Sequence, residues 1–254
     1  MRFLVSNDDG ILAHGLEVLT RAAAPLGDVW TVAPDREQSA TSHSLTLHHP
    51  LRPVKRGEQR WQVDGTPTDC VMLAVEALLP ARPDFVLSGV NHGQNMGEDV
   101  LYSGTVAAAM EGLALGIPAI AFSFAGGDLR ADTRLLDEQV QLITDLLQHI
   151  TTLPDFPKDT LLNVNLPPLP GSQVKGVRLT RLGRRVFSQS LQPMKDPWGR
   201  DIFWIGGGTV DWRGSSEDSD FRAIDDGYVS ITPLHLDLTH VSALDSAATW
   251  WRPL

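Results

Sequence analysis

Three features of the sequence predict an α/β fold: a doubly wound, mostly parallel sheet with protruding C-terminal β-hairpins and a terminal helix. Short β-prone apolar runs alternate with longer segments of helical spacing over the first two-thirds of the chain. Turn-forming Asn, Asp and Gly cluster directly after the strands. Beyond Pro167-Pro168-Leu169-Pro170-Gly171 the helical crossovers disappear, leaving short strands among glycines, aspartates and tryptophans. The division expected is a core over residues 1–166 and a hairpin extension with a terminal helix over 167–254, both within one domain.

The elements follow in order. Phe3–Ser6 is a short strand ended by the turn Asn7-Asp8-Asp9-Gly10. Leu16 to Leu26 has helical spacing, and Asp28–Ala33 is a second strand closed by Pro34. Trp61–Asp64 is a further short strand. Thr66 caps a helix with Pro67 at its first position and Asp69 placed to reach back; this helix ends near Leu79, before Pro80. Asp84–Val90 is the third core strand and leads into a loop with Gly93 and Gly97. Ser103-Gly104-Thr105 opens an alanine-rich helix that runs to about Leu115. Ile117–Phe124 is the fourth strand, Thr133–Ile150 one long amphipathic helix, and Leu161–Leu166 the fifth strand. In the extension, Val174–Leu182, Val229–Thr232 and Leu234–Leu238 read as strands and Ala243–Trp251 as a helix.

Composition limits the function. Hydrophobic residues make up 42% and charged residues 20% of 254, an ordinary globular balance. No apolar run reaches the ~18–20 residues of a membrane span, and MRFLVSNDDG lacks the length and cleavage site of a signal peptide, so a cytoplasmic protein is expected. A net charge of −10 disfavours binding to a nucleic acid polymer. It leaves open a small phosphorylated substrate, because a bound divalent cation reverses the local potential. The lone Cys70 excludes a disulfide framework and reads as core packing.

Ligands of an open parallel sheet bind beyond the carboxyl ends of its strands. There the first three core strands offer Asp8 and Asp9, then Ser39, then Asn91 and Asn95. These are oxygen donors, suited to hard cations such as Mg²⁺ and Mn²⁺. Adjacent strand residues point to opposite faces, so Asp8 and Asp9 can share one ion only if the chain leaves β geometry, which Gly10 permits. Two close carboxylates stay ionised together most simply around a cation. An Asp-Asp-Gly by itself is more often a solvated strand-end turn; the other donors on the same edge favour a site.

Ser103, Gly104 and Thr105 open a helix near this edge, where unpaired N–H groups suit a phosphate, although Ser103 or Thr105 could serve as a helix cap. No Gly-Lys-Ser/Thr ending is present, so this is no Walker-type loop. His43 and His92 lie near the site, either as a general acid or as ordinary surface groups. His48 and His49 read as loop residues, and Asp64 and Asp69 as turn and cap residues.

Several blocks are similar to one family. MRFLVSNDDG (Met1–Gly10), APDREQSATSHSLT (Ala33–Thr46), GTPTDCV (Gly65–Val71), SGVNHGQNMGEDVLYSGTVAAAMEG (Ser88–Gly112) and AIDDGYVSITPL (Ala223–Leu234) resemble the SurE survival-protein nucleotidases. The resemblance implies a Rossmann-like core and hydrolysis of nucleoside 5′- and 3′-monophosphates, with short polyphosphate as a further substrate. It implies one divalent metal ion per subunit, Mg²⁺ or Mn²⁺, at Asp8, Asp9, Ser39 and Asn91, the four that the sheet-edge argument selects. Asn95 and Ser103-Gly104-Thr105 match residues placed around the phosphate. Dimers or tetramers that exchange C-terminal segments are implied too, with some of Trp198, Trp204, Trp212, Trp250 and Trp251 covered by a partner subunit. Glu37-Gln38, His43 and His92 depart from the family's common pattern without touching the four ligands.

The mechanism expected is attack by a metal-activated water, with Asp8 or Asp9 orienting or deprotonating it. An aspartyl-phosphate route fits less well, since such phosphatases carry a second aspartate two positions on and residue 10 is glycine. A nucleotide-binding regulator is the rival outside catalysis.

Overall fold

The computed structural model describes residues 1–126, 134–154, 156–157, 159–184, 186–188, 191–205, 209–211 and 216–248. Among them the core alternates as expected: β1 (Arg2–Ser6), α1 (His14–Ala23), β2 (Asp28–Pro34), β3 (Pro53–Gly57), β4 (Arg60–Val63), α2 (Pro67–Leu73), β5 (Phe85–His92), α3 (Gly104–Ala114) and β6 (Ala119–Phe124). Then come α4 (Arg134–Asp137), α5 (Val140–Thr151), β7 (Leu161–Leu166), β8 (Val177–Leu179), β9 (Val186–Ser188), β10 (Leu191–Lys195), β11 (Asp201–Ile205), β12 (Thr209–Asp211), α6 (Asp220–Asp225), β13 (Val229–Leu234) and α7 (Val241–Ala248).

One nine-stranded sheet runs β3-β4-β2-β1-β5-β6-β7-β13-β8. Every pairing from β4 through β7 is parallel. The edges differ: β3 is antiparallel to β4, and β13 is antiparallel to β7. Alternation in β1 divides the core. Phe3 and Val5 join Leu16 and Leu19 of α1 and Ile143 and Leu147 of α5 on one face. Leu4 joins Val71 of α2 and Val106 and Ala109 of α3 on the other. Both faces of the parallel sheet are thereby covered. The capping box at Thr66 forms as expected: its side chain accepts from Asp69 N–H, and Asp69 accepts from Thr66 N–H at 2.8 Å.

Three expectations are corrected, and one strand was not expected. The helix expected over Thr133–Ile150 is two, α4 and α5, broken around the buried Gln139, whose amide donates to the Leu135 and Leu169 carbonyls. Leu234–Leu238 forms no strand: β13 ends at Leu234 and Leu238 is exposed. The extension does contain a helical crossover, because α6 lies between β8 and β13, which pair in parallel. β3 escaped the sequence reading because all five of its residues are exposed, which leaves no apolar alternation. Outside the sheet, β10 and β11 form an antiparallel hairpin and β9 pairs with β12. No helix among the described residues is long and apolar enough to cross a membrane. Trp212, Trp250, Trp251 and Thr133 lie outside the described residues.

Candidate metal and phosphate site

The strand order reverses at β1, which has β2 on one side and β5 on the other. A doubly wound sheet leaves a crevice at such a reversal. At the end of β1 the buried Asn7 staples the turn. Its amide donates to the Gly10 carbonyl at 3.1 Å, and its side-chain oxygen accepts from Gly10 N–H at 3.2 Å. Gly10 has φ +98°, and a Cβ there would stand 3.1 Å from the Arg36 carbonyl carbon, so conformation and space both require glycine. With the chain out of β geometry, Asp8 and Asp9 both line one cavity of about 230 Å³.

The turn after β2 is tied to the same strand end. Gln38 N–H donates to the Asp8 carbonyl at 2.7 Å, and Ile11 N–H to the Pro34 carbonyl at 2.8 Å. Ser39 reaches the cavity from this turn, its hydroxyl donating to Glu37 at 2.8 Å. Ala40 and Ser42 adopt left-handed φ values of 59° and 54°, which cost a non-glycine residue about 1 kcal/mol or more. Ser42 is held there by its N–H on the Tyr102 carbonyl at 3.2 Å and its hydroxyl on the Leu101 carbonyl at 2.7 Å.

In β5 the register against β6 slips between Ser88 and Asn91. Gly89 permits this: its φ is +123°, and a Cβ would lie 2.2 Å from the Phe122 carbonyl oxygen. Asn91 follows the slip and lines the cavity, its amide nitrogen donating to the Gly93 carbonyl at 2.8 Å. The side-chain oxygen is then the end that suits an ion. Asn95 is braced from two further strands. Its N–H donates to the Asn165 side chain at 2.9 Å and its amide to the Ser123 hydroxyl at 2.9 Å. Its carbonyl accepts from the amides of Asn163 and Asn165 at 2.8 and 3.0 Å.

Ser103 caps α3 by accepting from Val106 N–H at 3.0 Å, and also lines the cavity, so its hydroxyl proton can serve a ligand. Both readings of Ser103 therefore hold together. Gly104 and Thr105 stand behind Asp8 instead. A Cβ on Gly104 would meet the Asp8 Cβ at 2.7 Å. Thr105, fully buried, donates to the Asp8 carboxylate from its hydroxyl and its backbone N–H.

The Asp8 carboxyl is pushed up from 3.8 to about 6. Burial is the largest cause; the Thr105 hydroxyl opposes it, and the charge of Asp9 adds to it. Asp9 accepts from His92 N–H at 3.2 Å. Among the described residues Glu37 and Asp99 bring the carboxylates lining the cavity to four, and no Lys or Arg lines it. Such a cavity repels a phosphate ester unless a cation is bound. The oxygen donors present fit a hard divalent ion. Among the described residues no group of three or more His, Cys, Asp or Glu is placed to hold a metal; the hydroxyl of Ser39 and the amide oxygen of Asn91 are the further oxygen donors on this wall.

His92 lines the cavity, whereas His43 lines a neighbouring one and pairs with Glu111 at 2.8 Å. Asp64 accepts from Arg52 N–H at 2.6 Å, as a turn residue does. Cys70 is buried, its thiol pushed up by burial. Sequence reasoning did not find the Thr105 clamp, the Asn163 and Asn165 braces, or Glu37, Asp99 and Tyr102 on the cavity wall. Only the braces left a signal: two asparagines two residues apart in an otherwise apolar strand share one face.

The family model for Survival protein SurE matches residues 3–189. The 5′-nucleotidase SurE of Gemmatimonas aurantiaca is 75% identical over 252 residues, covering 99% of each chain. That of Pelobacter propionicus is 45% identical over 250 residues, covering 98% of this chain and 99% of its own. The crystal structure of SurE protein from Aquifex aeolicus matches with a TM-score of 0.86 at 40% identity, over 98% of this chain and 99% of that one.

Proposed function

This chain belongs to the SurE survival-protein family and is a 5′-nucleotidase, a phosphoric monoester hydrolase, and we propose that it cleaves nucleoside 5′- and 3′-monophosphates, and short polyphosphate, with one divalent ion per subunit. One observation carries the metal dependence: among the described residues, four carboxylates and no Lys or Arg line the cavity that a phosphate dianion must enter. Asp8, Asp9, Ser39 and Asn91 would hold the ion, Mg²⁺ or Mn²⁺. When bound, it supplies positive charge against the charge developing on the phosphoryl group and lowers the pKa of a water.

The remaining work belongs to the chain. One of the two aspartates orients and deprotonates the attacking water. Thr105 and Gly104 fix Asp8 for this task, the first by its two donors and the second by leaving room. Ser103 and Asn95 donate to phosphate oxygens from the cavity wall, with the N-terminal peptides of α3 adding their dipoles. The products are a nucleoside and inorganic phosphate.

The protein works in the cytoplasm as a homodimer or homotetramer, in the same reading, by exchanging C-terminal segments. The exposed Trp198, Phe203 and Trp204 around the β10–β11 hairpin support an apolar contact there. The deciding experiment measures phosphate release from a panel of 5′- and 3′-nucleoside monophosphates and from tripolyphosphate, with Mg²⁺, Mn²⁺ or chelator. Release that needs the metal is expected. Equal release in chelator overturns the metal assignment, and nucleotide binding without release from a folded protein favours a regulator.

A further inference from the structure

The catalytic cavity, at about 230 Å³, is smaller than the ~300–1,000 Å³ clefts that enclose a drug-sized ligand. It can take the phosphate end of a nucleotide and leaves the base at its rim. Polar residues predominate in its lining; among the described residues, apart from the His92 imidazole, Tyr102 carries the one ring that lines it. Tyr102 is 62% exposed and adjoins Ser103, a proposed phosphate contact.

The chain has two tyrosines, and they contrast. The ring of Tyr228 is covered by the Arg178 guanidinium 3.8 Å from its centroid. That of Tyr102 stacks on no ring or cation among the described residues. Its backbone is nonetheless fixed. The N–H donates to the Asp99 carbonyl at 3.0 Å, and the carbonyl receives Ser42 N–H from the loop that carries Ser39. A large apolar face held at the mouth of a polar site, with no partner of its own, suits a flat heterocycle.

Resting on the nucleotidase reading, we infer that Tyr102 is the specificity-determining residue that stacks on the nucleobase. Stacking tolerates every base, since each has a π-face; a nucleoside monophosphate is thereby distinguished from a sugar phosphate without selecting one base.

The test compares wild type, Tyr102→Ala and Tyr102→Phe, each as the full chain, on 5′-AMP and on ribose 5-phosphate. The second substrate carries the same phosphoester without the base. For Tyr102→Ala, kcat/KM on 5′-AMP should fall about 5- to 100-fold further than on ribose 5-phosphate, chiefly through KM. Tyr102→Phe should restore the difference. Equal falls on both substrates, or no fall on 5′-AMP, overturn the proposal. So does a changed solution mass of Tyr102→Ala by light scattering, which would assign the ring to a subunit contact. Calorimetric binding of the two ligands repeats the comparison without turnover: the preference for 5′-AMP should be present in wild type and lost in Tyr102→Ala. Failure of the nucleotidase reading, seen as absent hydrolysis, is thus distinct from failure of the stack.

Discussion

Two buried aspartates, one at the catalytic edge and one in the C-terminal region, resemble each other in burial and differ in purpose. Burial pushes both carboxyls up. Asp220 opens α6 and turns all its acceptor capacity inward, taking N–H groups from Gly97 at 2.8 Å, Gly183 at 2.9 Å and Phe221 at 2.9 Å. It ties the loop after β5, the loop after β8 and its own helix into one seam. Asp8 receives the two donors of Thr105 and its own N–H, and it shares a cavity wall with Asp9, whose charge pushes it up further. A buried carboxylate whose partners are all backbone amides of its own chain is structural. One left beside a second negative charge has acceptor capacity that its own chain does not fill, as the proposed metal role requires.

Substitution should separate the two. Asp8→Asn should lower turnover about 10³-fold, the scale of losing a catalytic electrostatic group, with urea unfolding close to wild type. Unfolding as weakened as that of an Asp220 variant would break the contrast. Asp220→Ala leaves three buried N–H groups without an acceptor and should cost about 3 kcal/mol in urea unfolding. Its turnover, measured well below the unfolding midpoint, should fall far less than that of Asp8→Asn. The third difference is in pH dependence. In the folded state the Asp8 carboxyl titrates near 6, above its ordinary 3.8, so the native form holds the proton more tightly than the unfolded chain. Stability from this group is full below about 3.8 and is lost as pH rises through 6, about 3 kcal/mol in all. Unfolding in chelator at pH 4, 5, 6 and 7 should show that loss, and Asp8→Asn should remove it. A divalent ion should offset it at pH 7 in wild type alone.

The fold was legible where burial imposes a pattern. FLVS, DFVLSGV and LLNVNL lie in strands packed on both faces, and their apolar runs follow from it. β3, wholly exposed, buries too little to leave such a mark, and α6, although four of its six residues are buried, is too short for a helical period to show among its aspartates. The break at Gln139 depends on a carbonyl 30 residues away, beyond any local spacing. The site was legible for a different reason: oxygen donors recur after successive strands, and sheet topology gathers strand ends. Six of the eight expected residues line one cavity. Gly104 and Thr105 serve Asp8 from 97 residues away in the case of the threonine, which no periodicity can reveal.

Every described residue on the wall of the catalytic cavity falls between Asp8 and Ser103. The described residues of the last third of the chain close one edge of the sheet and carry the exposed hairpin without contributing to that wall. Mutational drift can therefore act on the two parts at different rates. A lineage can refashion its outer hairpin while inheriting that cavity wall unchanged.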